Sequence, residues 1–313
     1  MVEDNEIKAQ VSPFAIREGE IKTFDGKDGY VSMNQIIHKI DIGHITDIHF
    51  AILDLVNEFE FITSRQLYQM LQIKGIDPKS QDKLNNKLEQ MVKSKILTRY
   101  YFTSDEGKGV YRIYCLEKMG KYLLNSKEIE CKWQQSDNTK PVAMIKKRLA
   151  GNQILIAYKT KVKAFDSFKV KPVLQAKQLG KQFKATAGGV KLTKASKSID
   201  FIFEAVRRED DWKEKLVDKM KLYKDFYENY VMGDSGYNSM PQLIIVAEDD
   251  KHMAECFKEI VTSGTEISKI SLLFTTDLRQ NSDDLSKSLV QFKLDENTNK
   301  YKLENVSLKL LEG

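Results

Sequence analysis

Polar and apolar positions fall into two rhythms between residues 198 and 231. Ile199, Phe201 and Phe203 alternate with Asp200, Ile202 and Glu204, the two-residue period of a strand, and Phe201 to Val206 is apolar enough to be buried on both faces. From Asp211 the period lengthens. Trp212, Leu216, Met220, Tyr223 and Tyr227 recur at steps of three and four, which lays one apolar stripe along a helix of about five turns. Leu243 to Ala247 and Ile270 to Thr275 repeat the strand signal, so this half of the chain predicts an α/β unit, a central mixed sheet flanked by helices.

The same periods organise the first half. A stripe of Ile48, Ile52, Leu55, Val56 and Phe59 marks a helix over 45–59, and Thr63 or Ser64 caps a second that ends near Leu71. A third runs from about Lys79 to Lys95 on a core of Leu84, Leu88, Met91 and Val92. Two strand-like runs follow, Ile96 to Phe102 and Val110 to Leu116, joined by the hairpin loop TSDEGKG. Three helices and a hairpin are the order of a winged helix-turn-helix, in which the third helix reads the major groove. Winding that helix at about 100° per residue with its core inward turns Lys79, Asp82, Lys83, Asn86, Gln90 and Lys93 outward. Lysine there suits phosphate or guanine, and asparagine and glutamine suit adenine, while Lys108 at the wing tip and Arg112 on the returning strand add backbone contacts. The predicted organisation is an arm over 1–44, a winged helix over 45–124, a polar linker over 125–140 and an α/β unit over 141–313.

Composition narrows the setting. At 313 residues, 41% of them apolar and only five of them proline, the chain suits two folded domains of roughly 150 residues each. No apolar run approaches the roughly 20 residues that span a bilayer, and the start, MVEDNEIKAQ, is acidic. With Cys115, Cys131 and Cys256 far apart, this reads as a cytoplasmic protein with free thiols and no membrane partner. His38, His44 and His49 share no helical face and read as structural. Charge is uneven. Residues 139–197 hold fourteen lysines and one arginine against Asp166 alone, a local +14 that leaves −9 elsewhere in a chain of +5. Such a run favours a polyanion, double-stranded DNA, with Lys146, Lys147 and Arg148 on the outward face of a helix that begins after Pro141.

Beyond Pro141 the order is helix, a strand over 167–174, a second over 183–193 bent at Gly188 and Gly189, the acidic strand, then helix, strand, helix, strand, which is the order of a restriction-endonuclease-like fold. Such nucleases hold Mg²⁺ with an Asp on one strand and the acid of a (D/E)xK triplet on the next, whose lysine orients the attacking water. Here the triplet is Glu204-Ala205-Val206, and valine cannot do that work. Three passages resemble the replication-relaxation family of plasmids and conjugative elements: Lys147-Arg148-Leu149-Ala150-Gly151-Asn152, FEAVRRED at 203–210, and Lys219 to Tyr223. The resemblance spans Ile45 to Thr276 and implies a winged helix ahead of a nuclease-like domain. Where many members carry Arg-Pro-Asp-Ala this chain has Lys184-Ala185-Thr186-Ala187, and the second acid of the family's Glu-x-Asp is Val206. The expectation is a non-catalytic DNA-binding protein of a mobile element, without cofactor, acting in replication, relaxation, transfer or their regulation. Relaxase or replication proteins and a second copy of the chain are the partners considered. The alternatives are an Mg²⁺-dependent nuclease with a migrated centre, using Asp200, Glu204 and Lys219, and a protein-interaction adaptor.

Overall fold

The computed structural model describes residues 11–105, 107–295 and 300–311. Its first half holds β1 (Ile21–Phe24), α1 (Met33–Asp41), α2 (Asp47–Phe59), β2 (Ile62–Thr63), α3 (Ser64–Ile73), α4 (Gln81–Lys93), β3 (Leu97–Ser104), β4 (Gly107–Leu116) and α5 (Lys118–Ser126). The three helices and the hairpin expected over 45–116 are present. Side chains at the caps fix where two of them start: Thr63 accepts from the Gln66 backbone ahead of α3, and Ser80 from that of Lys83 ahead of α4. Leu84, Leu88, Met91 and Val92 of α4 are buried as the stripe required.

The arm differs from expectation. Its strand β1 pairs antiparallel with β3, Ile21 opposite Thr103, and extends the hairpin into a sheet of order β1-β3-β4-β2.

The second half holds α6 (Val142–Lys161), β5 (Phe165–Lys169), β6 (Val173–Ala176), β7 (Lys181–Lys184), β8 (Gly189–Lys194), β9 (Lys197–Ala205), α7 (Trp212–Glu228), β10 (Gln242–Ala247), α8 (Asp250–Thr262), β11 (Leu273–Thr276), α9 (Asp277–Asn281), β12 (Val290–Asp295) and β13 (Lys300–Asn305). A seven-stranded mixed sheet of order β13-β12-β11-β10-β9-β8-β5 forms its centre, with β9, β10 and β11 parallel. The two long strands read across 167–174 and 183–193 are each divided, and β6 with β7 makes a separate ribbon. The order α6, β5, β8, β9, α7, β10 is the one expected from the sequence. Alternation along β9 serves two layers. Phe201, Phe203 and Ala205 join the core that holds Leu155 and Tyr158 of α6, whereas Ile202 and Val206 join the one that holds Leu216, Met220 and Tyr223 of α7.

Two glycines fit α6 and β8 together. A Cβ on Gly151 would sit 2.6 Å from the Ala187 backbone, so only glycine lets the helix lie this close to the chain entering β8. Gly188 turns that chain at φ +94°.

The stretch 125–140, expected as a linker, is packed against its neighbours. Asn138 is buried, donates to the Leu116 carbonyl at 2.8 Å and accepts from the Trp133 indole at 3.1 Å. Asn152 of α6 donates to the Phe61 carbonyl at 2.7 Å, and Gln66 of α3 to that of Leu149 at 2.8 Å. One continuous apolar cluster therefore runs from Ile36 through Leu124 into Tyr158 and Phe203.

Candidate nucleic-acid interface and the enclosed Glu204

Glu204 reaches the face of β9 toward α7 at the place where the sequence puts the triplet's acid. It is 4% exposed and surrounded by donors. Thr186 donates its backbone N–H at 3.2 Å and its hydroxyl at 2.9 Å, and the Tyr223 hydroxyl donates at 2.7 Å. Lys219 Nζ stands 3.7 Å away. Burial, then the charge of Glu204, holds the Tyr223 phenol well above its ordinary pKa, which keeps it a donor. A buried carboxylate met by three hydrogen bonds and a cation is satisfied without a metal.

The residue beside Glu204 is Thr186, the position matched to the family's Asp. Val206, at the lysine position, is itself buried. Lys219 does come to Glu204, from α7. Asp200 does not: it sits opposite Lys191 on β8, and by strand rise about 13 Å from Glu204. Burial raises its carboxyl above the ordinary value against the pull of Lys191 and Lys169. Beside Glu204 lies a cavity of about 30 Å³ bordered by Lys147, Glu209, Lys215 and Lys219. Among the described residues no group of three or more His, Cys, Asp or Glu gathers to hold a metal. Mg²⁺ does not fit this centre. Titration calorimetry with Mn²⁺ should therefore give no micromolar site, and supercoiled DNA incubated with Mg²⁺ or Mn²⁺ should stay uncut; cleavage that disappears in Glu204→Gln would restore the nuclease reading.

The basic segment is where the structure most revises expectation. Lys146 is not outward; it is 1% exposed and ion-paired with Glu20 of the arm at 2.5 Å. Lys147 pairs with Glu209, and Arg148 donates to the Val170 carbonyl and faces Glu60 at 3.8 Å. Lys140 and Lys171 also converge on Glu60, Lys181 on Asp225 and Lys191 on Asp166. Part of the local surplus of charge is thus met by acids from other parts of the chain, Glu20, Glu60, Glu209 and Asp225. Lys159, Lys163, Lys194 and Lys197 remain exposed.

On α4 the expected outward residues Lys83, Asn86, Gln90 and Lys93 are exposed, whereas Lys79, expected to open the helix, is exposed in the turn before its N-cap Ser80. Lys79 lies 3.3 Å from Asp77, and Lys93 lies 3.7 Å from Glu89, one turn back on α4. Arg112 is half exposed and shares Asp25 of the arm with Arg99, each at 2.9 Å. Lys108 lies in β4, opposite Thr103, and its side chain is outside the described residues.

Sequence reasoning missed the arm's second attachment. In the parallel part of the sheet the carboxyl ends of β9, β10 and β11 carry Arg207, Glu248 and Asp277, and the arm lies against them. Ser12 donates to Asp277, the Ile16 N–H to Glu248 at 3.0 Å, and Lys146 to the Ala15 carbonyl. On its other side Pro13 accepts from the Tyr111 hydroxyl at 2.9 Å. Glu20 and Asp25 are two of several acids in the arm, and no spacing singles them out.

No family model and no curated protein matches the chain. Among solved structures it is similar to one described as the structure of restriction endonuclease FokI, at 11% identity and a TM-score of 0.26, over 73% of this chain. The match spans 41% of that protein's length.

Proposed function

We propose that this chain is a non-catalytic DNA-binding protein in which 45–124 acts as a winged helix, α4 meets the major groove, and the nuclease-like unit is a scaffold. The observation that carries the reading is the outer face of α4. Lys83, Asn86, Gln90 and Lys93 stay exposed on a helix whose opposite stripe is fully buried, while Glu204 is enclosed by its own neighbours. The first set can contact phosphates and base edges. A role in replication or transfer of a mobile element, with relaxase or replication proteins as partners and a homodimer as one assembly, rests on the three resembling passages alone.

Binding of the full chain to duplex DNA across a salt series tests the reading. Affinity should fall with salt at a log-log slope of about 0.9 per phosphate contacted. On a selected site Asn86→Ala should cost about 1–3 kcal/mol, and on random duplex much less. A chain that binds no duplex, or binds it with no salt dependence, is not this protein's proposed kind.

A further inference from the structure

A concave cleft of about 1500 Å³ opens beside the face of α4 assigned to duplex DNA, and Asn86 borders both. Metabolite pockets run to roughly 300–1000 Å³, so this one suits a length of polymer. Its walls are α3 and α4, the sheet face of the hairpin, α6 with α9, and the arm at 11–14. Each helix contributes one polar stripe. On α4 it is Gln81, Asn85 and Glu89, four residues apart, with Asn86 at its edge, and on α3 it is Arg65, Gln69 and Gln72. Tyr68 from α3 and Tyr101 from β3 bring aromatic rings, and Lys161 adds a cation at the end of α6.

This chemistry selects among polymers. Amide side chains meet base edges, aromatic rings stack on bases, and cations meet phosphates, which together are the means by which proteins hold an unpaired strand. A helix that reads a duplex must enter a groove about 12 Å wide, so it has to stand clear of its surroundings. The Gln81, Asn85 and Glu89 stripe instead faces into a walled concavity, which a flexible strand can enter. One group there is left wanting: the side-chain oxygen of Gln69 is buried and has no hydrogen-bond partner in the protein. A base amine is a suitable donor to it.

We infer that this cleft binds single-stranded nucleic acid, beside a duplex face on Lys83 and Gln90 with which it shares Asn86. The inference rests on the DNA-binding reading, and the test separates their failures. Fluorescence anisotropy of the full-length protein compares a labelled single-stranded 12-mer of mixed sequence with its duplex. Tyr68→Ala should weaken single-strand binding about tenfold through a lost stacking contact and leave duplex affinity unchanged. Because Tyr68 is partly buried, Arg65→Ala with Gln72→Ala, both exposed, provides a second variant that should act in the same direction. Lys83→Ala should do the reverse. If the duplex binds and the single strand does not, or the single strand ignores both cleft variants, the cleft assignment falls and the duplex reading stands. If neither form binds, both fall.

Discussion

Asp277→Ala should cost the fold about 3–5 kcal/mol, read as a lowered urea midpoint at unchanged slope. Asp277 and Arg207 are 1% and 0% exposed and meet at 2.9 Å, at the carboxyl ends of β11 and β9. The guanidinium also donates to the carbonyls of Val206 at 2.8 Å and Val246 at 3.4 Å, and its Nε has no partner. Removing the carboxylate leaves a buried cation paired with neutral groups alone, which is the costly half of a buried ion pair. Domains of this kind total about 5–15 kcal/mol, so the variant should be close to unfolding. Burial raises the Asp277 carboxyl above its ordinary pKa even with Arg207 beside it, so the charged pair is itself held at a cost. The double variant Arg207→Met with Asp277→Leu should therefore recover most of the loss. Ser12→Ala removes the arm's hydrogen bond to the same carboxylate and the acceptor of the Phe14 N–H, and should cost about 1–2 kcal/mol. An Asp277→Ala protein with an unmoved midpoint would show that the pair does not hold these strand ends.

The elements that could be read in sequence are those whose burial is one-sided. The helices α2, α4 and α7 each pack one stripe, and β9 alternates between two layers, so period alone located them. Helix α6 could not be read this way. It is buried along much of its length, between α3 and the sheet, so an inward lysine looks like an outward one. Lys146, Lys147 and Arg148 then looked like a basic face, although their partners Glu20, Glu209 and Glu60 lie far away in sequence. The arm failed for a related reason. The four residues of β1 carry almost no period, and the partner of Ile21 is Thr103, a pairing that no local pattern encodes. The centre at Glu204 was half legible. The missing acid and lysine show directly as Thr186 and Val206, whereas the enclosing Tyr223 hydroxyl needed the packing of α7 on β9.

Acidification should expose a second buried group in the same region, His252 at the start of α8. Its ring is 0% exposed, and its Nδ1 accepts from the Glu248 N–H at 3.3 Å, which requires the neutral ring. The other nitrogen has no partner, and Trp212 packs edge-on at 4.8 Å. Burial, then the charges of Arg208 and Arg207, with Lys147 further down and Asp249 opposing, brings its pKa from 6.5 to about 3. A depressed histidine contributes stability that is complete above 6.5, where neither state is protonated. As pH falls below 6.5 the unfolded chain takes up a proton that the folded chain refuses until about 3, so the contribution is lost across that window. Between pH 7.5 and 4.5 the loss is about 2–3 kcal/mol. Glu248 and Asp277, both raised by burial, act with the opposite sign, because the folded state protonates them first. Wild-type stability alone mixes these effects, and His252→Gln separates them, since both proteins keep the two carboxylates. At pH 7.5 the variant should be the less stable, having lost ring packing on Trp212. Urea midpoints should then show the gap narrowing by about 2–3 kcal/mol at pH 4.5. A gap that stays constant with pH would mean that His252 is protonated in the folded chain and that the Glu248 N–H has a different acceptor.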